Sequence, residues 1–226
     1  MSTPGLRAEI VSEAYRHCEA LVREHDKDRF LASLYAPAGR RPYLFALYAF
    51  ALEIARVRKL VKEPMAGTIR LQWWLEAIAG LRAAEAAASP VMVALQDAAL
   101  QTGVALASLT GAVEARQAEL YGTPAVGAAS TVFAVAARFL DAGADVGDLA
   151  GEAAKAVIFV EAPGDLEQAT AAYRAFRARA GELPEQVLPA FLTVALVPLL
   201  LKRPGATQWR RQIELLRVAW FGFPTL

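Results

Sequence analysis

Apolar residues recur along this chain at steps of three and four positions, and stretches of alternating apolar and polar residues are absent. Residues with that spacing fall on one face of a helix of 3.6 residues per turn, so each such series predicts a helix with one apolar face. Three series are the clearest: Ile10, Ala14, Cys18, Leu21 and His25; Leu47, Phe50, Ile54, Val57 and Val61; and Trp209, Ile213, Leu216 and Trp220.

Glycine and proline separate these series, because glycine frees the backbone and proline cannot continue a helix. They mark roughly nine or ten helices joined by short loops. Alanine is abundant, which favours helix formation. Internal repeats, low-complexity tracts and long linkers are missing from the sequence. We therefore predict an all-α fold, a single-domain helical bundle over residues 1–226.

The charge balance limits the kinds of molecule that the chain is expected to bind. With 24 basic and 23 acidic side chains, the net charge is +1, and no basic run occurs. A nucleic-acid partner is therefore not expected, since it would call for a basic patch or stripe. Cys18 is the only cysteine, which excludes an intrachain disulfide and favours a reducing compartment.

The longest uncharged apolar run, Val187 to Leu201, has 15 residues and includes two prolines. A membrane-spanning helix needs about 20 residues. The run therefore predicts a buried helix, with peripheral contact to a membrane or a membrane-protein partner as the alternative. The first ten residues have no apolar signal core. We expect a cytoplasmic protein, at most peripheral at the inner face of the membrane.

Patterns of ordinary site chemistry are few. The only two histidines, His17 and His25, have no cysteine partners, so a zinc site is not expected. Asp141 and Asp145 have the spacing that on a helix would direct two carboxylates at one Mg²⁺ ion. A glycine lies between them, however, and another follows. The segment therefore predicts a loop, with Asp148 as the cap of the next helix.

One block of the sequence carries a more specific pattern. It contains, in order, the Arg40-Arg41 turn, the Ala46-Leu-Tyr-Ala-Phe50 run, the Glu63-Pro64 pair, Gly67 and the Arg70-Leu-Gln-Trp-Trp74 run. These features resemble the squalene/phytoene synthase family. Weaker similarity extends the resemblance to about two thirds of the chain. It implies an isoprenoid-synthase-like helical bundle, shortened after about residue 163 relative to active members.

Active members of this family hold Mg²⁺ between two acidic helices, and the metal neutralises the diphosphate that leaves as a carbocation forms. By the resemblance, the aspartates of the first motif fall at Ala55, Arg56 and Lys59. The second motif falls near residues 158–166, where Ile158 and Ala162 replace acids. Glu161 and Asp165 remain nearby, although Pro163-Gly164 interrupts the helix. The resemblance thus implies that no cofactor is bound, and Mg²⁺ would be needed only by an active transferase.

The residues of this block can also be interpreted physically. Pro64 ends one helix, and we expect Gly67 to allow a tight turn into the next. Adjacent tryptophans on a helix point about 100° apart, so one should anchor the core while the other reaches a neighbouring element. The candidate ligand-binding residues are Tyr48, Arg56, Lys59, Arg70, Trp73 and Trp74.

Two of these assignments leave an alternative open. Arg70 is expected either to pair with Glu63 or Glu53, or to cap a carbonyl, or to bind an anionic ligand. The basic residues at 56, 58 and 59 predict a solvated helix face, with a diphosphate clamp as the alternative.

Three functions follow. The first is a catalytically inactive relative that binds a partner or an apolar ligand. A branch of the family with degenerate acidic motifs includes an assembly factor of respiratory complex I, so the expected partners are complex I subunits or assembly factors. The second is an active prenyltransferase that joins isoprenyl diphosphates. The third is a carrier of an isoprenoid or quinone, which would need an open apolar cavity of several hundred Å³.

Overall fold

The computed structural model describes residues 4–162 and 165–224, and all regular structure within those ranges is helical. The all-α fold predicted from the apolar series is therefore confirmed. The α-helices are α1 Pro4–His25, α2 Lys27–Ser33, α3 Arg41–Leu60, α4 Pro64–Ile78, α5 Ala83–Ala88, α6 Pro90–Thr102, α7 Thr110–Glu119, α8 Val126–Leu140, α9 Gly147–Glu161, α10 Leu166–Arg179, α11 Leu188–Phe191, α12 Val197–Lys202 and α13 Gln208–Phe221. Four short 3-10 segments are η1 Leu106–Leu109, η2 Ala180–Glu182, η3 Glu185–Val187 and η4 Leu192–Leu196.

The number of helices exceeds the nine or ten expected, because several segments are only one or two turns long. Capping residues and prolines determine where these helices begin. Ser89 caps α6 by accepting a hydrogen bond from the Met92 amide, and Pro90 occupies the first turn, where its missing N–H costs nothing. Asp26 caps α2 in the same way, accepting from the Arg29 amide.

Helix α3 is the centre of the molecule. Every residue from Leu44 to Ala51 is buried, and the helix packs against α1, α6 and α8. A helix that is apolar on all sides must be surrounded by other helices. Four members of its predicted series, Leu47, Phe50, Ile54 and Val57, are buried. The fifth, Val61, is half-buried and lies just beyond the end of the helix.

A second group of helices continues from this centre. Helix α8 packs against both α3 and α9, and α9 packs in turn against α10. Small residues let these helices approach closely: four of the five buried residues of α9 are alanines, and so are four of the nine of α8. A smaller core, which joins α13 to α2 and η4, consists of Ala32, Leu192, Ala195, Leu196, Leu215 and Val218.

The buried placement of the apolar run 187–201 is also borne out, although it is not one helix. The run consists of η3, α11, η4 and α12, and a proline lies in the first turn of α11 and of α12. By length and composition, Glu185–Lys202 could cross a membrane, but 56% of it is buried inside the fold. Its apolar residues therefore serve mainly the core.

The segment between α8 and α9 is a loop, as predicted. The Asp141 carboxylate accepts a hydrogen bond from the Gly143 amide, and the Asp145 carboxylate accepts from the Gly147 amide. Both carboxylates thus stabilise turns of their own loop. The predicted cap is wrong: α9 begins at Gly147, so Asp148 lies inside its first turn and is exposed.

The role expected for Gly67 is also wrong. Gly67 lies inside α4 with helical geometry and is buried. A Cβ atom at this position would lie 2.7 Å from Leu120 Cδ1 and 3.1 Å from Val61 Cγ2. Gly67 therefore permits the close approach of α4 to the end of α7, while the turn is made by the residues before Pro64.

Helix α13 carries the series Trp209, Ile213, Leu216 and Trp220 on one face, as predicted, and all four side chains are exposed. Among the described side chains of α13, Leu215 and Val218 are the buried ones. The two sets lie on opposite sides of the helix, so the prominent tryptophan series faces away from the body of the protein.

Candidate functional site

The positions of the first acidic motif lie on the carboxyl-terminal half of α3. Ile54 and Val57 point into the core, which turns Arg56 and Lys59 outward to solvent and leaves Ala55 half-buried. Arg56 Nη1 lies 3.4 Å from Glu53 Oε1, one turn earlier on the same helix. An exposed pair of this kind contributes little to stability.

Arg58, in the same basic run, has a structural partner. Its Nη1 donates a hydrogen bond of 2.8 Å to the carbonyl oxygen of Glu119, the last residue of α7. Carbonyl groups at a helix end lack partners within the helix and carry partial negative charge. Arg58 therefore links α3 to the end of α7, so one member of the basic run has a structural role.

The two tryptophans of α4 divide their roles as predicted. Trp74 is only 7% exposed, and its ring meets Phe50 of α3 edge-on, with the ring centroids 5.2 Å apart. Trp73 is half-buried and lies edge-on to Trp74 at 5.0 Å. Trp73 Nε1 donates a hydrogen bond of 2.7 Å to Glu85 Oε2, which lies on α5. Trp74 thus anchors α4 to the core, and Trp73 reaches the neighbouring helix.

The partner of Trp73 belongs to a small polar network. Arg82 donates to Glu76 and to Glu85, and so links α4 to the start of α5. The hydrogen bond from Trp73, together with that from Arg82, lowers the pKa of Glu85. Trp73 is therefore held by protein groups on its polar edge.

Tyr48 and Arg70 lie in quite different surroundings. Tyr48 is buried near the middle of α3, with the guanidinium carbon of Arg29 5.3 Å from its ring centroid. Burial raises the pKa of Tyr48 to about 12. Arg70 is exposed, and among the described residues it forms neither the ion pair with Glu63 or Glu53 nor the carbonyl cap that the sequence suggested.

The positions of the second acidic motif lie at the end of α9. Ile158 and Ala162 are half-buried, and Glu161 is exposed as the last residue of the helix. Asp165 precedes α10 and accepts a hydrogen bond from the Gln168 side chain. Pro163 and Gly164, the predicted interruption, lie outside the described residues.

The donor set at these two helices does not fit the Mg²⁺ that the family would imply. Mg²⁺ requires several hard oxygen ligands, whereas α3 presents an alanine and two cations at the motif positions. Within residues 4–162 and 165–224, no group of three or more His, Cys, Asp or Glu side chains could hold a metal ion.

The larger cavities lie elsewhere on the molecule. One, of about 790 Å³, is an open groove lined by α1, α3 and α6. Inside it the Tyr15 hydroxyl donates to Asp97 Oδ2 at 2.8 Å, and burial together with this carboxylate raises the pKa of Tyr15. None of the six candidate ligand-binding residues lines this groove.

A second open groove, of about 770 Å³, lies at the end of α13, and it too lacks the six candidates. Its wall is mainly apolar, with Arg177 and Glu185 as its charged members; the large apolar side chains are Tyr35, Leu183, Leu188, Leu192, Val218 and Phe223. Sequence reasoning missed this groove because its lining comes from many short segments, and no single periodic pattern spans them.

Comparison with known proteins shows one matching family and several similar relatives. The profile of the squalene/phytoene synthase family matches residues 22–156, more than half of the chain. The Homo sapiens protein named NADH dehydrogenase (ubiquinone) complex I, assembly factor 6, is 31% identical over 104 residues, which cover 46% of this chain and 31% of that protein. Its Bos taurus counterpart is 34% identical over 83 residues, which cover 37% of this chain and 25% of that protein. The match therefore spans less than a third of each relative's length.

No solved structure matches the chain significantly. The family match begins near the end of α1 and runs into α9, so it includes both α3 and α4 and leaves α10–α13 outside. This coverage contains the residue block that carried the resemblance, and on it the chain belongs to the squalene/phytoene synthase family.

Proposed function

We propose that this protein is a non-catalytic member of its family that takes part in the assembly of respiratory complex I by binding an assembly partner. The similarity to proteins named as complex I assembly factors supports a role in complex I assembly. The observation that carries the non-catalytic part is the presence of Ala55, Arg56 and Lys59 where the family's chemistry requires metal-binding acids. Cations at those positions repel Mg²⁺.

A surface suited to a partner lies at the connection of α3 and α4. Leu60, Met65 and Ile69 are large apolar residues there, each with more than half of its surface exposed. Met65 and Ile69 are four positions apart on α4 and so lie on the same side of the helix. Lys59 and Arg70, both exposed, flank them. We call this surface the α3–α4 face, and an apolar centre with a charged rim is the usual composition of a protein interface.

The α3–α4 face lies within residues 22–156, the part that matches the family. Its cations carry no ion pair with another described residue, so they are free to meet acidic groups of a partner. Charge complementarity at a rim increases the rate of association and selects the partner.

The test is a gene deletion in the native organism, complemented with tagged variants. Membranes from the deletion strain should have lower NADH:quinone oxidoreductase activity, and the unaltered protein should restore it and co-purify with complex I subunits. The double variant Met65→Glu/Ile69→Glu should lose both properties. Leu81→Glu/Leu100→Glu is the matched control, because these leucines are equally exposed but lie elsewhere.

Normal oxidoreductase activity in the deletion strain, combined with a fall in its polyisoprenoid products, would contradict the proposal and favour the transferase. Loss of activity in both double variants would contradict the assignment of the α3–α4 face.

A further inference from the structure

Helix α13 is attached to the protein through one side. Leu215 and Val218 are buried against the small core shared with α2 and η4. Beside them, Arg211 Nη1 and Gln208 Nε2 both donate to the Asp28 carboxylate. These contacts fix the rotation of α13 about its own axis, since they come from three successive turns of the helix.

The opposite side of α13 is an exposed apolar stripe. It consists of Trp209, Ile213, Leu216 and Trp220, and each of the four is more than half exposed. At about 100° per residue, the four side chains fall within about 60° of arc. The centre of that arc lies roughly opposite Leu215 and Val218. We call this stripe the tryptophan face; an apolar helix side that faces away from the core marks a binding surface.

Basic residues accompany the tryptophan face. Arg210 and Arg217 lie beside the stripe on the same edge of the helix, and the Arg210 guanidinium carbon is 5.2 Å from the ring centroid of Trp209. Lys202 and Arg203 precede the helix. Residues 202–221 contain five basic side chains and one acidic side chain, although the whole chain is nearly neutral. Arg211 pairs with Asp28 and Arg217 pairs with Glu214. Among the described residues, Lys202, Arg203 and Arg210 are therefore the cations of this segment that carry no ion pair.

We propose that the tryptophan face docks the protein onto a membrane surface that contains anionic lipid headgroups. The helix would lie in the plane of the interface, with its apolar stripe among the upper acyl chains and its arginines at the phosphates. Tryptophans at both ends of the stripe fit this position, because indole rings are favoured at the boundary between headgroups and acyl chains.

The surroundings of α13 suit a flat surface. Leu34 and Tyr35, both partly exposed, border Leu216 across a shallow cavity of about 230 Å³. They extend the apolar area beyond the helix itself. A second copy of the chain is a poorer occupant, because a symmetric contact through this face would bring the same arginines of both copies together. The anionic membrane is the occupant that matches both the apolar and the basic parts.

The proposal is tested by flotation of the purified protein with lipid vesicles. Vesicles of phosphatidylcholine with about a third phosphatidylglycerol should carry the protein upward, and vesicles of phosphatidylcholine alone should carry it much less. The double variant Ile213→Glu/Leu216→Glu should bind the anionic vesicles at least about tenfold more weakly. The matched control Met65→Glu/Ile69→Glu should bind like the unaltered protein, since its residues are equally exposed but lie on the α3–α4 face. Added salt should weaken binding, because part of the attraction is electrostatic.

Three results would overturn the proposal. The first is no flotation with anionic vesicles; the second is flotation that the Ile213→Glu/Leu216→Glu variant retains. The third is a concentration-dependent dimer, measured by light scattering, that the same variant abolishes, since a second copy would then cover the face. Because the two double variants alter different helices, failure of membrane docking and failure of the assembly role are distinguishable.

Discussion

Trp73 and Trp74 are neighbours on α4, yet the protein uses them in different ways. The ring of Trp74 packs edge-on against Phe50 and so joins α4 to α3. The ring N–H of Trp73 instead donates a hydrogen bond to Glu85 of α5. The division follows from helix geometry, because adjacent side chains diverge by about 100° and only one can face the core. Each tryptophan is thus accounted for by contacts within the protein.

Replacement of Trp74 by alanine should lower the free energy of unfolding by about 3–5 kcal/mol, because it leaves a cavity beside Phe50. Trp73→Phe is the matched control: it keeps most of the ring contact and loses the hydrogen bond to Glu85, which should cost about 1 kcal/mol or less. Urea denaturation followed by circular dichroism measures both. Equal stability of Trp74→Ala and the unaltered protein would mean that α4 does not depend on this side chain.

At the residue scale, the sequence predicts the direction of a side chain on its own helix better than the residues that it contacts on other helices. The divergence of the tryptophans could be predicted, since it depends only on position along one helix. The environment of Arg70 could not, because whether Glu53 or Glu63 lies within reach depends on how α3 and α4 are placed relative to each other. Tyr48 was likewise a candidate from its motif alone, and its burial under Arg29 follows from the position of α2.

Helices α3 and α13 carry similar apolar series but orient them differently. In α3 the series faces the core because other helices surround it on all sides. In α13 the series faces solvent, and the contact with the body is made by Leu215 and Val218. Periodicity predicts that a helix has an apolar side, but it does not say what covers that side. The composition around each series is the signal that distinguishes the two cases: residues 44–51 of α3 are all apolar, whereas polar and charged residues separate the apolar positions of α13.

Removal of the Asp28 carboxylate should loosen α13. Asp28→Ala takes away the acceptor of both Arg211 and Gln208 and leaves a partly buried guanidinium without its ion pair, which should cost about 1–3 kcal/mol. Glu214→Ala is the matched control, since Glu214 pairs with Arg217 within α13 itself and should cost about 0.5 kcal/mol or less. Limited proteolysis should cleave the Asp28→Ala variant faster near α13. Equal cleavage of the two variants would show that the apolar contacts alone hold the helix.

At the scale of the whole molecule, the class of fold could be predicted from the sequence, and the cavities could not. Helical series, glycine and proline breaks and the family resemblance all depend on residues close together in the chain. The groove at the end of α13 combines residues from Tyr35 to Phe223, so it exists only once the helices are packed. The same holds for the tryptophan face, which becomes a surface because α2 and η4 cover the other side of the helix.

The absence of metal-binding acids leads to a prediction for the protein as a whole. With Mg²⁺ and farnesyl or geranylgeranyl diphosphate, the purified protein should release no diphosphate above background in a coupled assay. Loss of one group that stabilises developing charge already costs about 10²–10³ in rate, and here the acids of both motifs are replaced. The variant Ala55→Asp/Lys59→Asp should remain inactive, because Ile158 and Ala162 still occupy the second motif on α9.

An active squalene or phytoene synthase assayed in parallel establishes the sensitivity of the assay. Squalene or phytoene formed by the unaltered protein would contradict the non-catalytic function. Binding of the diphosphate without turnover would agree with it, since the exposed cations Arg56, Lys59 and Arg70 can attract an anion without ionising it.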